Sequence, residues 1–227
     1  MFKRLLNVAF IFAGIGSGLI GDYPSITPSN SKLLPPAFAF SIWSIIYLTG
    51  IFLAYKLIRN QISVTGPGIT LISIGYFLSG FWIRFDGHPN IVSVLAISNL
   101  VLTIVAIYIL RKTQISKTLL NFLSAFSSWL AIAASLVIAD ALKISTASNI
   151  STAIYLALAL SITFTIYLFL IPLYGYLGTI SWASFSILFA KDSSGLPIFI
   201  VAGVAFLISL LLFLQKIRDQ KLTKSGL

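Results

Sequence analysis

Phe40, Trp43 and Tyr47 follow Pro36 at offsets of four, seven and eleven residues, and on an α-helix that spacing stacks all three rings on one face. Pro35 and Pro36 sit where proline does least harm, because the N–H it lacks would be unpaired in the first helical turn anyway. Such a stripe either lines a cavity for a flat, apolar ligand or forms an interfacial belt and packing seam. At 1.5 Å of rise per residue, Trp43 lies ~9 Å into the helix, which is deep for a belt. A second stripe runs Trp129, Ala133, Leu136, Asp140 at the same offsets. Its indole stands near the middle of an apolar run of about 24 residues, its alanine removes bulk beside the ring, and its acid lies ~16 Å further along the axis. A third face carries Gly75, Ser79, Trp82 and Asp86, small where it is deep and polar where it emerges.

The titratable groups are few. An acid in an apolar run is a functional candidate by default, but Lys143 three residues after Asp140 offers an ion pair at a helix end. Arg84, Asp86 and the lone His88 form a polar cap after the third apolar run. With no cysteine, disulfides, thiolate metal sites and cysteine nucleophiles are excluded. No Ser-His-Asp set, histidine-rich metal site or phosphate-binding glycine loop is present, so the chain does not read as an enzyme, and no cofactor is implied.

The elements that must position these residues follow from composition. A chain of 227 residues with 58% hydrophobic and 9% charged side chains cannot hide its apolar surface in a water-soluble globule. Backbone groups in hydrocarbon must be satisfied internally, and runs of this length fit helices, which gives an all-α integral membrane bundle. Apolar runs occur near Leu5–Gly21, Ala37–Leu57, Pro67–Phe85, Ile91–Leu110, Leu119–Leu142, Thr152–Ile171, Gly175–Ala190 and Leu196–Leu214. The seventh is short, after the turn-like Pro172-Leu173-Tyr174-Gly175, and reads as a span, a tilted continuation or a re-entrant piece.

Charge decides for eight spans. Alternate threading places eleven of the fifteen Lys and Arg on one side, from Lys3 and Arg4 to the Lys216–Lys224 tail, and leaves Lys32, Arg84, Lys143 and Lys191 on the other. Lys/Arg-rich loops stay cytoplasmic, so both termini are expected in the cytoplasm of a cell-membrane protein. Dropping the seventh span would erase the asymmetry. The net charge of +10 is this topology signal and not a nucleic-acid footprint, although the tail can rest on anionic membrane lipids. The first run after Lys3-Arg4 also has the shape of a signal peptide, but no Ala-x-Ala-like cleavage site follows. Gly14, Gly16, Gly18 and Gly21 make it a close-packing helix. No internal repeat is visible in the sequence.

The run Pro35-Pro36-Ala37-Phe38-Ala39-Phe40-Ser41-Ile42-Trp43, continuing to Tyr47, resembles the signature of the TspO/MBR family, the tryptophan-rich sensory proteins. Its Phe-Ser-Ile-Trp spacing is similar to that of the extended members. The likeness covers about residues 5–143. The family's third helix has an Asn three residues before a Trp, where this chain has Ser79 and Trp82. Its fifth helix has a Trp, an Ala four on and an Asn eight on, where this chain has Trp129, Ala133 and Val137. The resemblance implies a five-helix core over residues 1–143, with three added helices and a basic tail over 144–227. It also implies a ligand site at Pro35, Pro36, Phe40, Trp43, Tyr47, Ser79, Trp82, Trp129 and Ala133. The implied ligand is a tetrapyrrole such as porphyrin or haem, or a sterol-like lipid, held by a membrane receptor or sensor that also moves it. The implied assembly is a homodimer through the third helix. Two family amides are replaced by Ser79 and Val137, and a hydroxyl or a methyl group cannot orient a polar ligand edge as an amide does. A secondary transporter of a small hydrophobic solute is the alternative.

Overall fold

The computed structural model of the chain describes residues 1–20, 31–33, 36–62, 66–85, 88–190 and 195–225. The Asp22–Asn30 stretch, Pro35, Gly21, Asp86 and Lys191, all singled out above, lie outside the described residues. Eight α-helices are present among them: α1 (Phe2–Ile20), α2 (Ile42–Ile58), α3 (Pro67–Phe81), α4 (Pro89–Leu110), α5 (Lys117–Ala141), α6 (Asn149–Phe169), α7 (Tyr174–Ile187) and α8 (Leu196–Ser225). Short 3-10 turns, Ala37–Ser41 and Trp82–Phe85, precede α2 and follow α3.

Six helices are long and apolar enough to cross a bilayer: α1, α2 with its leading 3-10 turn, α4, α5, α6 and α8. The two short ones, α3 and α7, are interior. Residues such as Ile72, Tyr76, Ile180 and Ile187 on them are fully or almost fully buried, while α4, α6 and α8 turn Val94, Leu158 and Leu211 outward. A helix of 14 residues sheathed by neighbours need not match the hydrocarbon thickness on its own, so the short seventh run is a separate helix of the bundle and not a continuation of the sixth.

Packing fixes the helix directions. Gly14 meets Tyr76 and Ser17 donates to the Gly80 carbonyl at 3.0 Å, so α1 and α3 run parallel. Gly18 meets Tyr47 while Ile15 meets Gly50, so α1 and α2 are antiparallel. Phe40 reaches Trp129 and Trp43 reaches Phe126, which makes α2 and α5 antiparallel. Gly178 with Phe213, Ser181 with Ser209 and Phe185 with Phe206 set α7 against α8. These pairings alternate consistently and bring the first residues of α1 and the last of α8 to one end of the bundle.

Hydroxyls in this apolar setting bind their own helices. Thr49, Ser73, Ser135 and Thr163 each donate to the carbonyl four residues back, at 2.7–2.8 Å, which removes the penalty of an unpaired polar group in hydrocarbon. Ser116 and Ser148 cap α5 and α6 through the amides of Leu119 and Ser151. Glycine permits the closest approaches. A Cβ on Gly14 would lie 2.0 Å from the Tyr76 oxygen, and one on Gly175 would lie 1.9 Å from the Asn121 oxygen.

The structure also brings out a repeat that the sequence reading missed. In each set of four helices the first packs on the third and the third on the fourth: α1 on α3 on α4, and α5 on α7 on α8. The corresponding stretches share residues. Lys3-Arg4-Leu5-Leu6-Asn7 recurs as Lys117-Thr118-Leu119-Leu120-Asn121, and Gly75-Tyr76 followed by Ser79, Trp82 and Phe85 recurs as Gly175-Tyr176 followed by Thr179, Trp182 and Phe185. The packing repeats too: Gly14 backs onto the Tyr76 carbonyl, and Ser128, the counterpart of Gly14, donates to the Tyr176 carbonyl at 2.9 Å. The match was hidden because it rests on a few residues scattered through apolar sequence.

Candidate functional site

The ring cluster is built around Trp43. Its centroid lies 5.4 Å from Tyr47, 6.4 Å from Trp82, 6.3 Å from Phe126 and 6.5 Å from Trp129, the last three edge to face. Phe40 closes the set at 6.1 Å from Trp129. Aromatic rings prefer these tilted and perpendicular contacts because the positive edge of one meets the negative face of another. Behind the cluster, Tyr76 stacks on Phe126 at 4.6 Å and donates its hydroxyl to the Ile46 carbonyl at 2.9 Å, tying α3 to α2 and α5.

Sequence reading placed Phe40, Trp43 and Tyr47 on one helical face from Pro36; the segment Ala37–Ser41 is a 3-10 turn and the α-helix begins at Ile42. Residues three apart eclipse in a 3-10 turn, so Phe40 stays in line with Trp43, and both rings meet Trp129. Phe40 is 37% exposed, whereas Trp43 and Trp129 are 6% and 3% exposed. Trp82 is partly buried and meets Trp43. The rings therefore pack on one another, with the open side at Phe40 and the half-buried Pro36. Ala133 stands one turn beyond Trp129, partly buried. Ser79 is buried, and its hydroxyl returns to the Tyr76 carbonyl at 2.7 Å.

One donor in the cluster has no partner. The indole nitrogen of Trp129 is buried without an acceptor, and an N–H stripped of water and left unbonded costs about 1–3 kcal/mol. Asn99, which sequence reading did not single out, is a buried amide on α4 with neither amide atom bonded. It faces Gly75, which also meets Thr103 and Phe126, and Phe126 in turn meets Trp43. Gly75 and Ser79, the small step suited to close helix approach, look inward.

One further expectation is corrected by geometry. Asp140 does not pair with Lys143. The Ser31 hydroxyl donates to its carboxylate at 3.2 Å, and Lys143 sits exposed at φ 57°, where α5 ends with the Ile144 amide on the Ala139 carbonyl and the Lys143 amide on the Asp140 carbonyl. Trp182 on α7, which sequence reading did not place at the site, lies beside the rings: its indole N–H donates to the Ala39 carbonyl at 3.0 Å, and its ring meets Phe38 edge-on at 5.7 Å. His88 is exposed at the start of α4 and caps nothing with its side chain.

Outside the rings, a water-sized cavity of about 10 Å³ lies among α5, α6 and α7, beside Ser135, Tyr155 and Thr163. A wholly apolar groove of about 390 Å³ lies between Ile150–Ala157 of α6 and Leu196–Val201 of α8.

A helical bundle with six membrane-length apolar helices and a buried aromatic cluster at the start of its second helix is a multi-pass membrane protein. Residues 18–215 match the TSPO-like protein family, and the chain belongs to it. The match runs past the expected five-helix core and through α6, α7 and most of α8. No curated protein and no solved structure matches the chain. Membership goes with a membrane sensor or receptor kind of function.

Proposed function

We propose that the chain is a receptor for a large, flat, apolar molecule with a small polar edge, of the tetrapyrrole or sterol kind, bound among Trp43, Trp82 and Trp129. The observation that carries this is the unpartnered Trp129 N–H inside a cluster of rings from three helices. The ring faces supply stacking, and the N–H supplies one donor for the ligand's edge. Because the rings are in mutual contact, the ligand enters by parting them from the Phe40 side, exchanging ring-on-ring for ring-on-ligand contact. In the proposed orientation that side faces outward in the cell membrane, and both termini are cytoplasmic. No chemical step is assigned to the site. A homodimer formed by this chain uses a face other than the Gly75–Ser79 step, which α4 and α5 already occupy.

The test is a fluorescence titration of the purified protein in detergent with protoporphyrin, haem and cholesterol. Stacking of protoporphyrin or haem on Trp43 and Trp129 quenches indole emission saturably, and cholesterol, which has no chromophore, is read by saturable binding of its radiolabelled form. Absence of saturable binding for all three ligands removes the reading.

The four-plus-four repeat favours a second reading. Parallel repeats are a common architecture of secondary transporters, with the solute held where the halves meet, and α2 and α5 meet at the ring cluster. Uptake of a small hydrophobic solute into proteoliposomes, driven by a proton gradient, separates this reading from a receptor.

A further inference from the structure

The repeated tryptophans, Trp82 and Trp182, each stand seven residues after the glycine of the Gly-Tyr pair, Trp82 in the 3-10 turn that follows α3 and Trp182 within α7. Both converge on one short segment. Trp82 meets Trp43 at 6.4 Å, just after the 3-10 turn. Trp182 meets that turn from the other side, ring on Phe38 at 5.7 Å and N–H on the Ala39 carbonyl at 3.0 Å. Phe38 is also approached by Phe185 at 6.4 Å and Phe189 at 6.1 Å, so the second half surrounds it with rings.

We infer that Trp182 is a positioning residue of the ring site: through the Ala39 carbonyl it holds the 3-10 turn that aims Phe40 and Trp43. This deepens the receptor reading and rests on it for the ligand, but not for the turn. The physical ground is the turn itself. Five residues of 3-10 helix have poorer hydrogen-bond geometry than α-helix and do not extend far unaided. The Ala39 carbonyl already accepts the Ile42 amide, and Trp182 supplies its second donor, at a depth where an unpaired indole N–H has no water to turn to. Relaxing the turn into α-helix would rotate Ala39 relative to α2 and carry its carbonyl off the Trp182 N–H. The second half of the fold thereby sets the opening of a site whose other rings lie on α2, on α5 and in the 3-10 turns beside α2 and α3. Lost anchoring loosens the turn and speeds exchange of a ligand held behind Phe40.

The experiment compares the full chain with Trp182→Phe, which keeps a ring and deletes the N–H. Ser181→Ala is the control: it breaks the neighbouring 2.9 Å bond from α7 to Ser209 of α8 without touching the turn. Amide hydrogen exchange is read on the ligand-free proteins in nanodiscs. The expected result is that the Phe40–Trp43 amides of Trp182→Phe exchange about fivefold faster, the effect of one lost hydrogen bond, while Ser181→Ala leaves them as in the parent. Protoporphyrin leaves Trp182→Phe faster than it leaves the parent. Phe38→Leu removes the other contact between Trp182 and the turn, ring on ring at 5.7 Å, and loosens the same amides if Trp182→Phe fails to fold. Unchanged exchange at Phe40–Trp43 overturns the inference, as does an equal rise in Ser181→Ala. If exchange responds but neither parent nor variant binds protoporphyrin, the anchoring stands and the ligand reading fails.

Discussion

Replacing Gly14 by Ala puts one methyl group where α1 has no room for it. The added Cβ would stand 2.0 Å from the Tyr76 carbonyl oxygen, about 1.4 Å inside the 3.4 Å of ordinary contact, and 2.8 Å from the Phe77 amide nitrogen. These neighbours are backbone atoms of a buried helix, so no side chain can swing aside, and the helices must part. Parting them strains the Ser17 bond to the Gly80 carbonyl, worth ~1 kcal/mol, and adds an overpacking cost of ~1–3 kcal/mol. The expected destabilisation is ~2–4 kcal/mol, or a fall in Tm of roughly 4–16 °C for a chain of this size. Gly16 is the matched control, because a Cβ there meets nothing within 4 Å. Gly16→Ala adds the same methyl group to the same helix, and should be neutral or raise stability by up to ~1 kcal/mol. Thermal melts of both variants in one detergent, followed by tryptophan emission, check the pair. Equal melting temperatures for Gly14→Ala and Gly16→Ala would show that α1 and α3 are not in backbone contact, and the α1–α3 register would be wrong.

Three other outcomes are expected. Lys143→Gly should raise stability by ~1 kcal/mol, because Lys143 holds a left-handed conformation that glycine adopts freely, and equilibrium unfolding in denaturing detergent measures it. Asp140→Asn should leave ligand affinity within about threefold and create or abolish no proton flux, since an amide oxygen can still accept from Ser31; selective loss of gradient-driven uptake would promote the transporter reading. Reporter fusions after Arg59, Lys112 and Lys224 should report cytoplasm, and one near Asn30 should report the outside; a C-terminal reporter found outside contradicts the eight-helix threading.

The helices were legible because apolar length and interrupting Pro, Gly and charge are local properties, and the eight runs match α1–α8 closely. Trp43, Trp82 and Trp129 came together in the sequence only through the family resemblance, because counting faces places a ring on its own helix and not beside another. The 3-10 turn at Ala37–Ser41 was not foreseen, but it leaves Phe40 in line with Trp43 because residues three apart eclipse there. The Asp140–Lys143 pair failed because i,i+3 pairing needs a helix at both residues, and the chain turns left-handed at Lys143. Trp182 was missed because its partner Ala39 lies 143 residues away. The recurring Gly-Tyr pair with its tryptophan seven residues on was the one signal that placed it beside the site.

The claim that Trp43 and Trp129 face one ligand is tested most directly by protoporphyrin affinity in Trp43→Phe and Trp129→Phe, each checked for folding by its melt. Loss of a well-packed aromatic anchor costs ~1–3 kcal/mol, so each variant should bind about five- to 150-fold more weakly than the parent. Parent-like affinity in both folded variants would place the ligand elsewhere in the bundle and contradict the account.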